Sequence, residues 1–167
     1  AYGGSHLPDV TVVTPVFAPG GLIGYVASRA HHAEIGGARP GSMPPEARTL
    51  AEEGVVIPPL YLVRGGEVLW DDIRRLLESG PYPSRAVEDN LADLRAAVAA
   101  NHAGALALSA LAEEHGAGTI ARYMDVLEAL AETRVREALA DLPGGRHEAQ
   151  ETLDDGSPLR VAITIEG

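Results

Sequence analysis

Two apolar, β-branched runs separated by the turn sequence Ala-Pro-Gly-Gly constrain the fold of this chain most strongly. The runs are VTVVTPVF at residues 10–17 and LIGYVASR at residues 22–29. Such runs favour strands, and glycine at the connection permits the reversal that an antiparallel hairpin requires. We therefore predict a β-hairpin over residues 10–29 with a loop of about four or five residues. Pro15 is expected at an edge, because proline has no N–H to donate.

Two further strands are indicated outside the hairpin. Residues 55–63 form an apolar run that ends at the Gly65-Gly66 turn. The segment LRVAITI at residues 159–165 alternates in the way that a half-buried strand does. We predict a strand in each segment, the second with no following partner.

The middle of the chain is typical of helices. Residues 70–142 are rich in Ala, Leu, Glu and Arg, with apolar positions at helical spacing. We predict long helices at about residues 84–115 and 119–142, joined at Gly116 and Gly118 as an antiparallel αα-hairpin.

Together these elements predict an α+β fold in which a small antiparallel sheet, from the hairpin and the strand at 55–63, packs on the αα-hairpin. We expect residues 1–167 to be a single partial domain of a larger subunit, because both ends look cut. Its parts are a β-rich half at 1–69, a helical half at 70–142, and a turn and terminal strand at 143–167.

Composition excludes several classes of function. The net charge is −11, from 24 acidic and 13 basic side chains, and no basic stripe is present. Nucleic acid and anionic membranes are therefore poor partners. The absence of cysteine excludes disulfides, zinc–thiolate sites and thiol nucleophiles. No run is long enough to span a membrane and no signal peptide is recognisable, so we expect a cytoplasmic protein.

Histidine and aspartate flank the predicted hairpin at both ends. His6 and Asp9 form an H-x-x-D motif before the first strand, and His31 and His32 follow the second. If Phe17 pairs with Leu22, Asp9 lies opposite Ala30. A loop one residue longer places Asp9 opposite His31 instead, and a further slip turns His32 to that face.

Two imidazoles and one carboxylate would suit Zn, Mn or Fe. The register leaves the ligand from the histidine pair open, and the alternative is that these histidines bond turn backbones. Nearby, Glu34 is a candidate general base, a partner of a histidine, or a solvated acid. Loop glycines, including Gly41 beside Ser42, could hold an anion with backbone N–H groups.

Several long blocks of the sequence resemble the hydantoinase B family. They are GGSHLPDVTVVTPVF, RAHHAEIGG, PGSMPPEARTLAEEG, DNLADLRAAVAAN, YMDVLEALAETRVREAL and LPGG. The resemblance covers nearly the whole chain, and the family also includes oxoprolinases and the large subunits of acetone and acetophenone carboxylases.

The resemblance implies a component of an ATP-dependent amidohydrolase that acts on cyclic amides of the hydantoin or 5-oxoproline type. Such a subunit works beside a hydantoinase A-type partner, which binds the ATP. Metal-containing relatives imply a divalent-metal site at His6, Asp9 and His31, which favours the longer hairpin loop. His32 and Glu34 are then the nearest candidates for proton transfer, and Gly41 and Ser42 the candidates for substrate binding. The family often has Asp in place of Glu34.

Two alternative functions remain at this point. The same metal could serve a subunit of an ATP-dependent ketone carboxylase. The chain could also be a truncated, non-catalytic fragment that takes part only in subunit association, and by itself it is expected to be inactive if the active site needs the full subunit.

Overall fold

The computed structural model of the protein describes residues 6–41 and 44–166. It confirms the predicted α+β class. The chain divides into two compact units, residues 1–115 and 116–167. The elements, in chain order, are β1 Asp9–Ala18, β2 Gly21–His31, α1 Leu50–Glu53, β3 Val63–Arg64, β4 Glu67–Val68, α2 Trp70–Leu77, α3 Val87–His115, α4 Ala117–Ala140, β5 Gly145–Thr152 and β6 Pro158–Ile165.

Strands β1 and β2 form the predicted hairpin, but its turn is tighter than expected. Ala18 pairs with Gly21, so two residues make the turn rather than four or five. Gly20 and Gly21 have φ values of 113° and 131°, which residues with a Cβ rarely adopt and which allow this short reversal.

A β-bulge then changes the register of the hairpin. Phe17 pairs with Leu22, as one of the two expected registers requires, but Val16 pairs with Gly24. The extra residue lies in β2 and shifts every later pair by one position. Asp9 consequently faces His31, which is the outcome of the other expected register, and the bulge provides it rather than a longer loop.

The inner face of the hairpin packs on helix α3. Asn101 is buried and its amide donates to the carbonyl oxygen of Val12 at 3.0 Å and to Thr14 Oγ1 at 3.1 Å. Helix and strand approach closely where Gly104 lies beside Val26, since a Cβ at Gly104 would be 3.4 Å from the Val26 side chain.

The apolar core of the first unit lies between helices α2 and α3 and the segments that follow β2. Its buried residues are Ile35, Val55, Ile73, Leu77, Leu91 and Leu94. Trp70, Val10 and Val12 pack against this cluster from the side. Burial of these side chains fixes the start of α3 beside the end of β2.

The strand predicted at residues 55–63 is wrong over most of its length. Residues 55–62 are not in a strand, and only Val63–Arg64 pairs, with Glu67–Val68 around the Gly65-Gly66 turn. Pro58 and Pro59 remove two donors from this run, so a continuous ladder cannot form. The Val55 N–H instead donates to the Ile35 carbonyl at 2.8 Å.

Helices α3 and α4 lie close to the predicted ranges. The two helices belong to different compact units, so their antiparallel packing stays a prediction. Apolar side chains along α4 are 41–63% exposed in this chain: Tyr123, Met124, Leu127, Leu130, Val135 and Leu139. Helical spacing shows which residues share a face, but it does not show what covers that face.

The terminal strand was predicted with no partner after it in the chain, and its partner in fact precedes it. Strand β6 pairs antiparallel with β5, Gly145–Thr152, a segment too polar for recognition by alternation.

Among the described residues, no helix has the length and apolar character that crossing a membrane requires.

Candidate metal centre

A turn followed by a strand places the first two candidate ligands side by side. The Asp9 N–H donates to the His6 carbonyl at 3.3 Å, which closes a turn around the buried Pro8. The Pro8 carbonyl in turn accepts a hydrogen bond from the His32 N–H at 2.9 Å, so the two chain segments stay paired beyond the end of the hairpin. The turn therefore holds the His6 imidazole over the start of β1.

The bulged register brings the third candidate to the same place. His31 Nδ1 lies 3.1 Å from Asp9 Oδ1, and His6 Nδ1 lies 3.7 Å from the same oxygen. The two imidazole rings are edge to face, with centroids 5.0 Å apart. One possible ligand atom from each of the three residues lies within 4.8 Å of the other two.

The chemistry of these three residues fits a divalent cation. The His6 Nδ1 atom is shielded from solvent and, among the described residues, has no hydrogen-bond partner. An unsatisfied buried nitrogen is costly, and a metal ion is one partner that would satisfy it. Two imidazoles and one carboxylate are also a donor set that leaves coordination positions open.

The basic residue Arg29 also belongs to this cluster, although the sequence analysis did not include it. Its guanidinium donates to Asp9 Oδ2 at 2.6 Å. Arg29 precedes His31 by two residues on a strand, so both side chains point to one face. That spacing is the signal in the sequence that places Arg29 with His31.

His32 does not join the other histidines. Its side chain is 3% exposed, and Nδ1 lies 2.7 Å from Asn90 Oδ1 and 3.8 Å from Asp93 Oδ2. Because the Asn90 amide donates to the Glu34 carbonyl at 2.7 Å and to Ser84 Oγ at 2.9 Å, its oxygen is left to accept. His32 Nδ1 therefore carries the proton in this contact.

The carboxylate of Glu34 is held by several donors at the start of helix α3. Oε2 accepts from the N–H groups of Arg85 at 2.8 Å and Ala86 at 3.2 Å and from the Ser84 hydroxyl at 3.0 Å. Oε1 accepts from the Gly36 N–H and pairs with the Arg85 guanidinium, both at 2.8 Å. Glu34 therefore binds backbone N–H groups at the N-terminal end of α3, as an anionic side chain at a helix N-terminus commonly does.

These contacts decide the charge state of Glu34. Burial alone would raise the pKa of the carboxyl group, but the hydrogen bonds from Arg85, Gly36 and Ser84 and the charge of Arg85 lower it more. The net effect is a pKa below the usual value, so Glu34 stays ionised at neutral pH.

The glycine-rich loop offers fewer anion-binding groups than the sequence suggested. The Gly37 N–H donates to the Tyr82 carbonyl at 3.0 Å and the Ala38 N–H to the Glu52 carbonyl at 2.8 Å. Gly41 is exposed and has a positive φ of 85°, while Ser42 lies outside the described residues. The proposed substrate contacts of these two residues remain predictions.

Comparisons with known proteins give this geometry a context. The chain is 40% identical to 5-oxoprolinase 1 of Arabidopsis thaliana over 98% of its own length and 15% of that relative. It is 31% identical to the caprolactamase subunit beta of Pseudomonas jessenii, over 93% of this chain and 26% of the relative. The crystal structure of the ATP-dependent caprolactamase from the same organism superposes with a TM-score of 0.82 at 29% identity, covering 99% of this chain and 29% of that one.

The chain thus spans less than a third of each of these relatives. The sequence profile described as hydantoinase B/oxoprolinase matches residues 1–167. The protein belongs to the hydantoinase B/oxoprolinase family.

Proposed function

We propose that this chain is a component of an ATP-dependent amidohydrolase that opens cyclic amides of the hydantoin or 5-oxoproline type with the help of a divalent metal. The relatives named as 5-oxoprolinase and caprolactamase act on cyclic amides by name, and they match nearly the whole chain. The observation that carries the proposal is the convergence of His6, Asp9 and His31 within 4.8 Å.

The three residues would hold the ion through two imidazole nitrogens and a carboxylate oxygen. When bound, a divalent ion of the Zn, Mn or Fe type supplies polarisation of a carbonyl or a hydroxide near neutral pH. The chain itself would contribute orientation, since the turn at Pro8 and the pairing of Asp9 with His31 bring the three side chains together.

His32 and Glu34 are proposed for different tasks near this centre. Asn90 holds the His32 ring by its Nδ1 proton, and His32 stays our candidate for proton transfer. Both carboxylate oxygens of Glu34 already accept hydrogen bonds, and the group is ionised. These contacts support a role in positioning the backbone around Glu34 more than a role as a general base. Gly41 and Ser42 stay the candidates for substrate contact.

We further propose that a hydantoinase A-type partner binds the ATP and activates the amide. The relative described as a subunit beta supports an arrangement with more than one kind of subunit.

The cytoplasmic location inferred from the sequence also stays a prediction.

The test is metal content together with ring opening. Wild type, His6→Ala and His31→Ala would be purified with the A-type partner, measured for bound metal, and assayed with ATP and 5-oxoproline, hydantoin or caprolactam. His102→Ala is the matched control, since His102 is an exposed histidine of α3. We expect both site variants to lose most of the metal and the ring-opening activity, and the control to keep both.

Two outcomes would contradict the proposal. Turnover only of ketones with bicarbonate would assign the protein to carboxylation instead. Unchanged metal content in His6→Ala and His31→Ala would show that these residues hold no metal.

A further inference from the structure

The two oxygens of the Asp9 carboxylate face different groups. Oδ1 lies 3.1 Å from His31 Nδ1 and 3.7 Å from His6 Nδ1, on the side where the imidazoles converge. Oδ2 accepts a hydrogen bond from Arg29 at 2.6 Å. The side chain of Asp9 is 19% exposed, so both contacts form in a partly desolvated place.

The register of the hairpin creates this division. Asp9 pairs with His31, and the neighbouring pair on the same face is Thr11 with Arg29. The Arg29 guanidinium therefore approaches Asp9 diagonally, from the next pair on the same face of the hairpin. His31 lies directly opposite Asp9 on the neighbouring strand. The bulge lies between the turn and these two pairs. It therefore determines both the pairing of Asp9 with His31 and the pairing of Thr11 with Arg29.

We propose that Arg29 is a positioning residue that makes Asp9 a one-oxygen ligand. By holding Oδ2, the guanidinium directs Oδ1 alone to a divalent cation held with His6 and His31. The inference rests on the proposed metal site and adds to it how the carboxylate binds.

This arrangement has two chemical consequences. A carboxylate that binds through one oxygen leaves a coordination position that a two-oxygen ligand would occupy, and that position is available for water or a substrate carbonyl. The positive charge of Arg29 also offsets the negative charge of Asp9, so the protein donors neutralise less of the cation's charge.

Cobalt(II) is a suitable probe, because its visible absorption weakens as its coordination number rises. The full chain would be loaded with Co²⁺ as wild type, Arg29→Met, Arg29→Lys and Arg134→Met. The Arg134 variant is the matched control, since it breaks an exposed arginine–carboxylate pair, with Glu137, on helix α4.

We expect a several-fold weaker Co²⁺ absorption in Arg29→Met, as Asp9 turns to bind through both oxygens. Arg29→Lys keeps a cationic donor and should restore most of the wild-type spectrum, and Arg134→Met should not differ from wild type. Because Arg29 is about half exposed, its replacement leaves the core untouched.

The possible failures are distinguishable. If the wild type retains no Co²⁺ after removal of free metal, as measured by elemental analysis, the metal site itself is absent and both proposals fall. If wild type binds Co²⁺ and Arg29→Met has the same spectrum, only the role of Arg29 is refuted. X-ray absorption or a crystal structure of the Co²⁺-loaded wild type is a second, variant-free measurement, in which Asp9 bound through both oxygens would also refute it.

Discussion

Replacing Asn90 with alanine should destabilise the first compact unit strongly. The Asn90 side chain is 2% exposed and makes three hydrogen bonds, with His32 Nδ1 at 2.7 Å, the Glu34 carbonyl at 2.7 Å and Ser84 Oγ at 2.9 Å. These bonds join the segment after β2, and Ser84 just before α3, to the first turn of helix α3.

The magnitude follows from the number of groups left without partners. Each hydrogen bond contributes about 1 kcal/mol, and a buried donor or acceptor left without a partner costs about 1–3 kcal/mol. His32 Nδ1 and the Glu34 carbonyl would both lose their partner in Asn90. We therefore expect a loss of about 3 kcal/mol in the free energy of unfolding, or about 6–12 °C in Tm for a chain of this size.

Urea unfolding followed by tryptophan fluorescence measures this loss. Trp70 is the only tryptophan and packs on the core cluster of the first unit, so it reports that unit alone. Asn101→Ala is a graded control, since it removes two hydrogen bonds to β1 and should cost about 1–2 kcal/mol. A loss below about 1 kcal/mol for Asn90→Ala would refute the claim that the network stabilises the fold.

Two further perturbations test the same region. The pKa of Glu34 is lowered in the folded state, so its contribution to stability is present above the unfolded pKa and is lost as the pH falls through the folded one. Glu34→Gln should therefore be less stable near neutral pH but lose less stability on acidification, and parallel urea midpoints against pH for the two proteins would contradict this. Gly36→Ala would place a Cβ 2.4 Å from the Tyr82 carbonyl oxygen at a φ of 87°, and we expect a loss of at least about 3 kcal/mol. Gly41→Ala is its control, since Gly41 has a φ of 85° and a Cβ built there meets no atom of the described residues within 4 Å apart from its chain neighbours. It should cost only about 1–2 kcal/mol in urea unfolding, and equal losses for the two variants would show that crowding is unimportant.

Local patterns predicted much of the architecture. The β-branched runs identified the first hairpin, and helical spacing located α3 and α4, because both signals arise from a residue's own neighbours in the chain. The polar strand β5 carried no such signal, since it is defined by pairing with β6 rather than by a buried face. The run at residues 55–62 had a strand-like composition, yet its two prolines and its contact with Ile35 placed it in the core as an irregular segment.

The candidate site shows the same division more sharply. Sequence reasoning brought His6, Asp9 and the histidine pair to one end of a hairpin, but left open which histidine faces Asp9. Shifting the pairing register by one residue moves every side chain of the strand to the opposite face of the sheet. The turn and the bulge together determine that register. Neither can be located from composition alone.

The sequence by itself determined the kinds of residue available: two imidazoles and a carboxylate around a hairpin, a chain with no thiols, and long helices beside it. The tertiary structure decided their relations. The bulge opposite Val16 and Phe17 turned His31 toward Asp9 and Arg29, while the buried amide of Asn90 held His32 elsewhere. The physical reason is that these contacts join residues at least 20 positions apart, so they depend on how the backbone pairs and packs rather than on any local preference.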